Sequence, residues 1–170
     1  MNKNVGKFTN AELMSSFCDR LLKSGSEKLS ESEIDASLTK IVKLFSYLDD
    51  KDLFGEIYRN QLAKRMLNNK SASDDLEKTM ISKLKHDVGA QFTSKMEGMI
   101  NDLATGLEHK KKFEEYAAKQ DEKEKSAVNF SVQVLTTGNW PTYKAPEITL
   151  PAEMMKCVQV SPHDSILAQN

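Results

Sequence analysis

The sequence has few of the residues that interrupt helices or form disulfides. Its 170 residues include seven glycines, four prolines and two cysteines. Two cysteines, Cys18 and Cys157, do not make a disulfide framework, so they indicate a reducing compartment. With 39% hydrophobic and 29% charged residues, a chain this poor in glycine and proline is expected to be folded and mostly helical.

Long apolar runs and an excess of charge are also missing. No stretch approaches the roughly 18 apolar residues of a membrane span. The N-terminal sequence MNKNVGKFTN has no apolar segment typical of a signal peptide. The net charge is -1, which gives no electrostatic reason to expect a nucleic-acid or membrane partner. We therefore expect an intracellular protein of the cytoplasm, the nucleus or both.

Patterns for catalysis and metal binding are absent too. The histidines His86, His109 and His163 are far apart and have no second ligand at zinc-site spacing. There is no glycine-rich phosphate loop and no serine in a nucleophile elbow. The acidic residues 49–52, DDKD, lack the glycine of a calcium loop. We predict no catalytic residue, no metal and no cofactor, and we interpret residues 49–52 as a helix cap.

The sequence does contain apolar residues at helical spacing along residues 9–118. Thr9 and Ser30 each begin a capping box, TNAE and SESE, so they predict the starts of the first two helices. The predicted buried stripe of the first helix comprises Leu13, Met14, Phe17, Cys18, Leu21 and Leu22.

Three further helices follow in the same part of the chain. Asp49 or Asp50 is predicted to cap the third helix, and Ser73 the fourth. The fourth is expected to stop at Gly89. The fifth can break or bend at residues 105–106, where Thr-Gly interrupts the apolar pattern. Because the connections are short, neighbouring helices are expected to be antiparallel.

Charged residues on these helices are interpreted as exposed. Lys64 and Arg65 lie near the end of the third helix, where positive charge complements the helix dipole. Asp74 and Lys78 stand four residues apart and are predicted to pair. The run at residues 110–112, KKK, is interpreted as a solvated helix face rather than a phosphate-binding patch.

The only strand pattern comes after the helices. Residues 119–127 are mostly charged and are predicted to be a linker. Val128, Phe130, Val132 and Val134 then alternate with polar residues, and a second short strand is predicted around residues 148–150. One or two strands are not stable alone, so they need partners.

These patterns predict a mainly α fold. An antiparallel helical bundle at residues 9–118 is followed by a partial α/β element with one or two strands at residues 128–160. Residues 1–8 and 161–170 are predicted to be disordered ends.

Three blocks of the sequence resemble the cullin family. They are residues 44–67 (LFSYLDDKDLFGEIYRNQLAKRML), residues 71–99 (SASDDLEKTMISKLKHDVGAQFTSKMEGM) and residues 129–143 (NFSVQVLTTGNWPTY). The resemblance extends over residues 8–160 and is strongest to the first cullin subfamily.

The resemblance implies a scaffold of a cullin-RING ubiquitin ligase, without an active site of its own. In such ligases the cullin holds a substrate-receptor module at one end and a RING-box protein at the other. The RING-box protein brings the charged ubiquitin-conjugating enzyme, so the cullin contributes proximity. The resemblance also implies that the RING-box protein adds a strand to the α/β element, which is β-augmentation.

The expected partner-binding residues follow from this resemblance. They are Phe130, Ser131, Val132, Gln133, Val134 and Leu135, supported by Trp140. We expect the backbone edge of this strand to face the RING-box protein. The apolar side chains among these residues are expected to pack on the bundle instead.

Parts of the family's sequence have no counterpart in these 170 residues. They are the N-terminal helical repeats that bind the adaptor, the remaining strands of the α/β element, and the C-terminal winged-helix module with its modified lysine. We therefore expect a truncated cullin that neither binds the adaptor nor accepts the modifier.

Two other functions stay open. The chain is alternatively an interaction or regulatory protein that competes with longer cullins without assembling a ligase. It is alternatively an enzyme that uses a metal at the acidic residues 49–52.

Overall fold

The computed structural model describes residues 7–25, 28–118, 133–142, 149–152 and 154–155. Within these residues the chain forms five helices. They are α1 (Asn10–Leu22), α2 (Glu31–Phe45), α3 (Lys51–Leu67), α4 (Asp74–Val88) and α5 (Ala90–Ala118). The prediction of a mainly helical protein is confirmed.

The chain divides into two compact units. The first comprises Met1–Ile100 and Thr136–Pro141, and the second comprises Asn101–Leu135 and Thr142–Asn170. In the first unit α1 packs against α2 and α3, and α2 packs against α4. Helix α5 continues through residues 105–106, so the predicted break is not present. A glycine inside a helix costs about 1 kcal/mol relative to alanine, which a helix of 29 residues tolerates.

Both predicted capping boxes are confirmed. Thr9 Oγ1 accepts the Glu12 N–H at 3.2 Å, and Glu12 Oε2 accepts the Thr9 N–H at 2.7 Å. At α2, Ser30 Oγ accepts the Glu33 N–H at 3.3 Å, and Glu33 Oε2 accepts the Ser30 N–H at 2.9 Å. Each box provides acceptors for two backbone N–H donors that a helix N-terminus otherwise leaves free.

The prediction that Asp50 caps α3 with its side chain is wrong. Asp50 occupies the N-cap position, but its side chain makes no capping hydrogen bond. The next residue, Lys51, closes the corner instead: its Nζ donates to the Leu48 carbonyl at 2.6 Å and to the Ser46 carbonyl at 3.1 Å. These carbonyls follow the end of α2, where a cation is favoured.

The predicted side-chain cap of α4 is not formed either. Ser73 is the N-cap residue, as predicted, but its side chain makes no capping hydrogen bond. Lys78 pairs with Asp75 at 3.4 Å, and not with Asp74. Both side chains of this pair are mostly exposed, so the choice between two neighbouring carboxylates has little energetic weight.

The buried face of α1 differs from the predicted stripe. Leu13 and Phe17 are each 39% exposed, whereas Ala11 and Ser15 are buried together with Cys18, Leu21 and Leu22. Small side chains allow two helices to approach closely, and α1 packs against α3. The Ser15 hydroxyl donates to Gln61 Oε1 on α3 at 2.6 Å, so its burial leaves no unpaired group.

Aromatic side chains from three helices form the centre of the first unit. Phe45 of α2 lies with its ring 4.9 Å from that of Phe54 in α3 and 5.7 Å from that of Phe92 in α5. The Phe54 ring stacks on Tyr58 at 5.8 Å. Phe45, Phe54 and Tyr58 are fully buried, so this cluster holds the three helices together.

No strand is formed by residues 133–135 or 149–150. Residues 128–132 and 148, which belong to the two predicted strands, lie outside the described residues. Lys23 and Ser71 form an isolated antiparallel bridge. A strand requires a neighbour that accepts its backbone hydrogen bonds, and alternation in the sequence does not supply one.

Replacing Ser30 by alanine is expected to raise the pKa of Glu33. In the native protein the Ser30 N–H and hydroxyl hold that pKa below its ordinary value of 4.5. Because the folded pKa is lowered, the interaction stabilises the protein above the unfolded pKa, and the stabilisation is lost as the pH falls through the folded value. An NMR titration of the Glu33 carboxyl carbon measures the change.

Ser32 provides the matched control for this experiment. It lies in the same turn of α2, is exposed, and takes no part in the capping box. Ser32→Ala is expected to leave the pKa of Glu33 unchanged. An equal rise in both variants would show that the box does not determine the pKa.

Candidate functional site

The predicted partner-binding residues fall into three groups. Phe130, Ser131 and Val132 lie outside the described residues. Gln133 and Val134 are exposed, and Leu135 is partly buried. Trp140 is buried, with 7% of its surface exposed.

Trp140 belongs to a turn that forms part of the first unit. The Asn139 N–H donates to the Thr136 carbonyl at 2.9 Å, and Thr136–Pro141 is grouped with Met1–Ile100. The Asn139 side chain lies against Gly98 of α5, where it occupies the place of a Cβ atom. The turn therefore contacts helix α5 through Asn139 and buries Trp140, while residues 136–138 are exposed.

The second unit presents apolar side chains to solvent. Five large ones are exposed among its described residues: Leu107, Val134, Leu150, Met154 and Met155. Exposed apolar groups are ordinary when they occur singly, and a contiguous patch of them is typical of a surface that binds another protein. Residues 133–135 lie in this unit and form no strand pairing.

A second feature is a charge cluster buried inside the first unit. Arg65 of α3 is 2% exposed and Glu77 of α4 is 0% exposed. Arg65 donates from Nε to Glu77 Oε1 at 2.7 Å and from Nη2 to Glu77 Oε2 at 2.9 Å. Its Nη1 donates to Asp19 Oδ1 of α1 at 2.5 Å. One guanidinium thus joins three helices through a bidentate and a single ion pair.

Further groups saturate the Glu77 carboxylate. The Ser71 hydroxyl donates to Oε1 at 2.8 Å, and the Tyr58 hydroxyl lies 3.4 Å from Oε2. Beside the cluster, the Ser24 N–H donates to the Lys70 carbonyl, and the Ala72 N–H donates to the Leu22 carbonyl, each at 2.8 Å. The end of α1 is therefore fixed to the α3–α4 loop by backbone and side-chain bonds together.

The Arg65 guanidinium stays charged in this buried cluster. Burial alone lowers the pKa of Arg65, but the hydrogen bonds and the charge of Glu77 outweigh burial and raise that pKa above its usual value. Burial, followed by the Glu77 charge, raises the pKa of the Tyr58 hydroxyl well above its usual range. Burial also raises the pKa of the neighbouring Cys18 thiol to about 12. A thiol with such a pKa is protonated at neutral pH and is a poor nucleophile.

This cluster is built for structure rather than for chemistry. Because Arg65 and Glu77 are buried, neither side chain is open to a substrate. A surface cleft of about 550 Å³ lies elsewhere, and its charged lining residues are Asp52, Glu56 and Arg59 of α3 and Lys95 of α5. Its walls carry charges of both signs, so it has no net preference for a charged ligand.

In the described residues no group of three or more His, Cys, Asp or Glu side chains is arranged to hold a metal ion. Over the same residues, no helix combines the length and apolar character that crossing a bilayer requires.

Comparison with known protein families decides the identity of the chain. The sequence model of the family described as "Cullin alpha solenoid domain" matches residues 1–109. This chain belongs to the cullin family.

Individual cullins match over most of this chain. Cullin-1 of Oryza sativa subsp. japonica is 51% identical over 160 residues, which cover 94% of this chain and 21% of that protein. Cullin-2 of Arabidopsis thaliana is 42% identical over 160 residues, 93% of this chain and 21% of that protein. Cullin-4A of Homo sapiens is 40% identical over 150 residues, 88% of this chain and 20% of that protein. The chain spans about a fifth of the length of these cullins.

The buried charge cluster of this cullin chain was missed by sequence reasoning. Arg65 was interpreted as an exposed cation at a helix end, which is wrong, and Glu77 was not singled out. A signal for both was present. Arg65 lies seven residues after Tyr58, and Glu77 lies seven residues before Leu84, so each falls on an apolar stripe of its helix.

Proposed function

We propose that this cullin chain is a non-catalytic scaffold segment of a cullin-RING ubiquitin ligase and that it binds a RING-box protein. The binding residues are Phe130, Ser131, Val132, Gln133, Val134 and Leu135, which add to a strand of the partner by β-augmentation. The observation that carries the proposal is family membership over most of the chain, together with the unpaired backbone of residues 133–135.

Several structural features support a scaffold role. The first unit is tied together by the buried Arg65–Glu77 cluster and by an aromatic core, so it provides a rigid body. A scaffold accelerates transfer by holding two partners at a defined separation, and rigidity is what makes that separation defined. The exposed apolar residues of the second unit supply a surface for a partner. We expect the protein in the cytoplasm or the nucleus.

Titration with a purified RING-box protein by calorimetry tests this proposal. We expect saturable binding at micromolar concentration. In β-augmentation the backbone N–H and C=O groups carry the affinity, and consecutive N–H groups of a strand point in opposite directions. Only one of two consecutive N–H groups faces the partner, and proline has no N–H. One of the variants Gln133→Pro and Val134→Pro is therefore expected to remove a backbone hydrogen bond to the RING-box protein, and the other is not.

The matched controls are Gln133→Ala and Val134→Ala, which keep both backbone donors. They are expected to weaken binding much less than the more damaging proline variant. An absence of binding by the native chain at micromolar concentration would exclude the proposal. It would favour the alternative of a regulatory protein that does not assemble a ligase. Equal losses in the proline and alanine variants would exclude β-augmentation as the mode of binding.

A further inference from the structure

Helix α5 carries two glycines in different surroundings. A Cβ atom added at Gly98 would overlap the Asn139 side chain and would lie 2.7 Å from its Oδ1. A Cβ atom added at Gly106 would lie 3.6 Å from the Gln133 Cγ, which is ordinary van der Waals contact. Gly98 is therefore a notch filled by another part of the chain, whereas Gly106 has room for a methyl group.

The group that fills the notch stands beside the single tryptophan of the chain. Asn139 precedes Trp140, which is 7% exposed, and the Asn139 N–H closes the turn onto Thr136 at 2.9 Å. Gly98 and this turn lie in the same compact unit. The turn thus contacts α5 through the Asn139 side chain at Gly98, and the adjoining Trp140 side chain is buried.

We infer that Gly98 and Trp140 form an anchor that positions the partner-binding segment. Trp140 is a positioning residue here, and its buried side chain is not a contact surface for the partner. Leu135 is bonded directly to Thr136, so docking of the turn restrains Leu135, the last residue of the partner-binding segment, by chain connectivity. A strand whose end is already fixed loses less conformational entropy when it pairs with a partner. The effect on binding rests on the proposed function, whereas the anchor itself does not.

Alanine substitutions at the two glycines test the anchor. Trp140 is the only tryptophan, so its fluorescence reports on the turn alone. Gly98→Ala is expected to shift the emission of Trp140 to longer wavelength and to raise its quenching by acrylamide about twofold, because the displaced indole meets water. Gly106→Ala, on the same helix, is expected to change neither quantity. Circular dichroism is expected to show full helix content in both variants.

A rescue variant separates the notch from general damage. Asn139→Ala removes the atoms that a Cβ at Gly98 would overlap. The double variant Gly98→Ala with Asn139→Ala is therefore expected to restore the native emission of Trp140, since the two changes share one contact. The claim that the Asn139 side chain fills a notch at Gly98 is contradicted if Gly98→Ala leaves the emission unchanged. It is also contradicted if the double variant does not restore the native emission.

Binding of the RING-box protein tests the positioning role. If the docked turn falls to about a tenth of the population, the Kd rises about tenfold. We expect that loss in Gly98→Ala, native affinity in Gly106→Ala, and recovery in the double variant. A shifted emission with native affinity would overturn the positioning role. If the native chain does not bind the RING-box protein, the proposed function and the positioning role are both wrong. The fluorescence experiment then still tests whether Asn139 fills the notch at Gly98.

Discussion

Replacing Glu77 by alanine is expected to lower the free energy of unfolding by about 3–5 kcal/mol. The substitution leaves the Arg65 guanidinium 2% exposed, with its Nε and Nη2 donors no longer bonded to a carboxylate. Asp19 still accepts from Nη1, but it is 30% exposed, and one partly hydrated carboxylate does not replace a buried bidentate partner. Urea denaturation followed by circular dichroism measures the loss.

A neighbouring ion pair on the same helix gives the matched control. Lys78 and Asp75 are 58% and 90% exposed, so Lys78→Ala is expected to change stability by at most about 0.5 kcal/mol. Similar losses in Glu77→Ala and Lys78→Ala would show that the buried cluster does not determine stability.

The double variant Arg65→Met with Glu77→Leu refines this result. Most of the cost of a single substitution comes from the unpaired buried charge that it leaves behind. With both charges replaced by apolar groups no such charge remains, so the double variant is expected to cost less than Glu77→Ala. A loss equal to the sum of the two single losses would instead show that Arg65 and Glu77 are not energetically coupled.

Replacing Phe45 by alanine is the second change with a large expected effect, a loss of about 3–5 kcal/mol in the free energy of unfolding. Phe45 is fully buried and touches rings from α3 and α5, so its removal leaves a cavity among three helices. Lys51 Nζ also lies 5.7 Å from the centre of the Phe45 ring, and this cation–π contact is lost with it.

Tyr47 is the matched control for Phe45. It is an aromatic residue at the same corner, two residues further along the chain, and is 70% exposed. Tyr47→Ala is expected to cost no more than about 0.5 kcal/mol. Chemical denaturation measures both variants, and an unchanged m-value shows that each still unfolds as the same unit. Equal losses would contradict the assignment of Phe45 to the core.

Glu77→Ala and Phe45→Ala are both expected to affect function by making the first unit less rigid. The Arg65 cluster joins α1, α3 and α4, and the Phe45 cluster joins α2, α3 and α5. Helix α3 takes part in both, so it is the element on which the first unit is organised. In the proposed scaffold, loss of either cluster is expected to disturb the spacing of bound partners before it affects any contact with them.

The sequence alone determined the features that depend on near neighbours. The capping boxes at Thr9 and Ser30 involve residues three positions apart, so their hydrogen bonds could be predicted from the letters alone. The end of α4 at Gly89 followed from the same local rules. The resemblance to cullins could be recognised in residues 44–67 and 71–99 because the amino-acid sequences of those blocks are characteristic of the family.

The tertiary structure decided which groups meet across the chain. Arg65 and Asp19 are 46 positions apart, and nothing local shows that one will bury its charge against the other. The buried face of α1 depended on α3, which favours Ala11 and Ser15 over the larger Leu13 and Phe17 at a close contact. The alternation at residues 133–135 produced no strand, because a strand exists only where a second backbone accepts its hydrogen bonds. Local bonding is encoded by neighbours in sequence, whereas burial and pairing depend on neighbours in space.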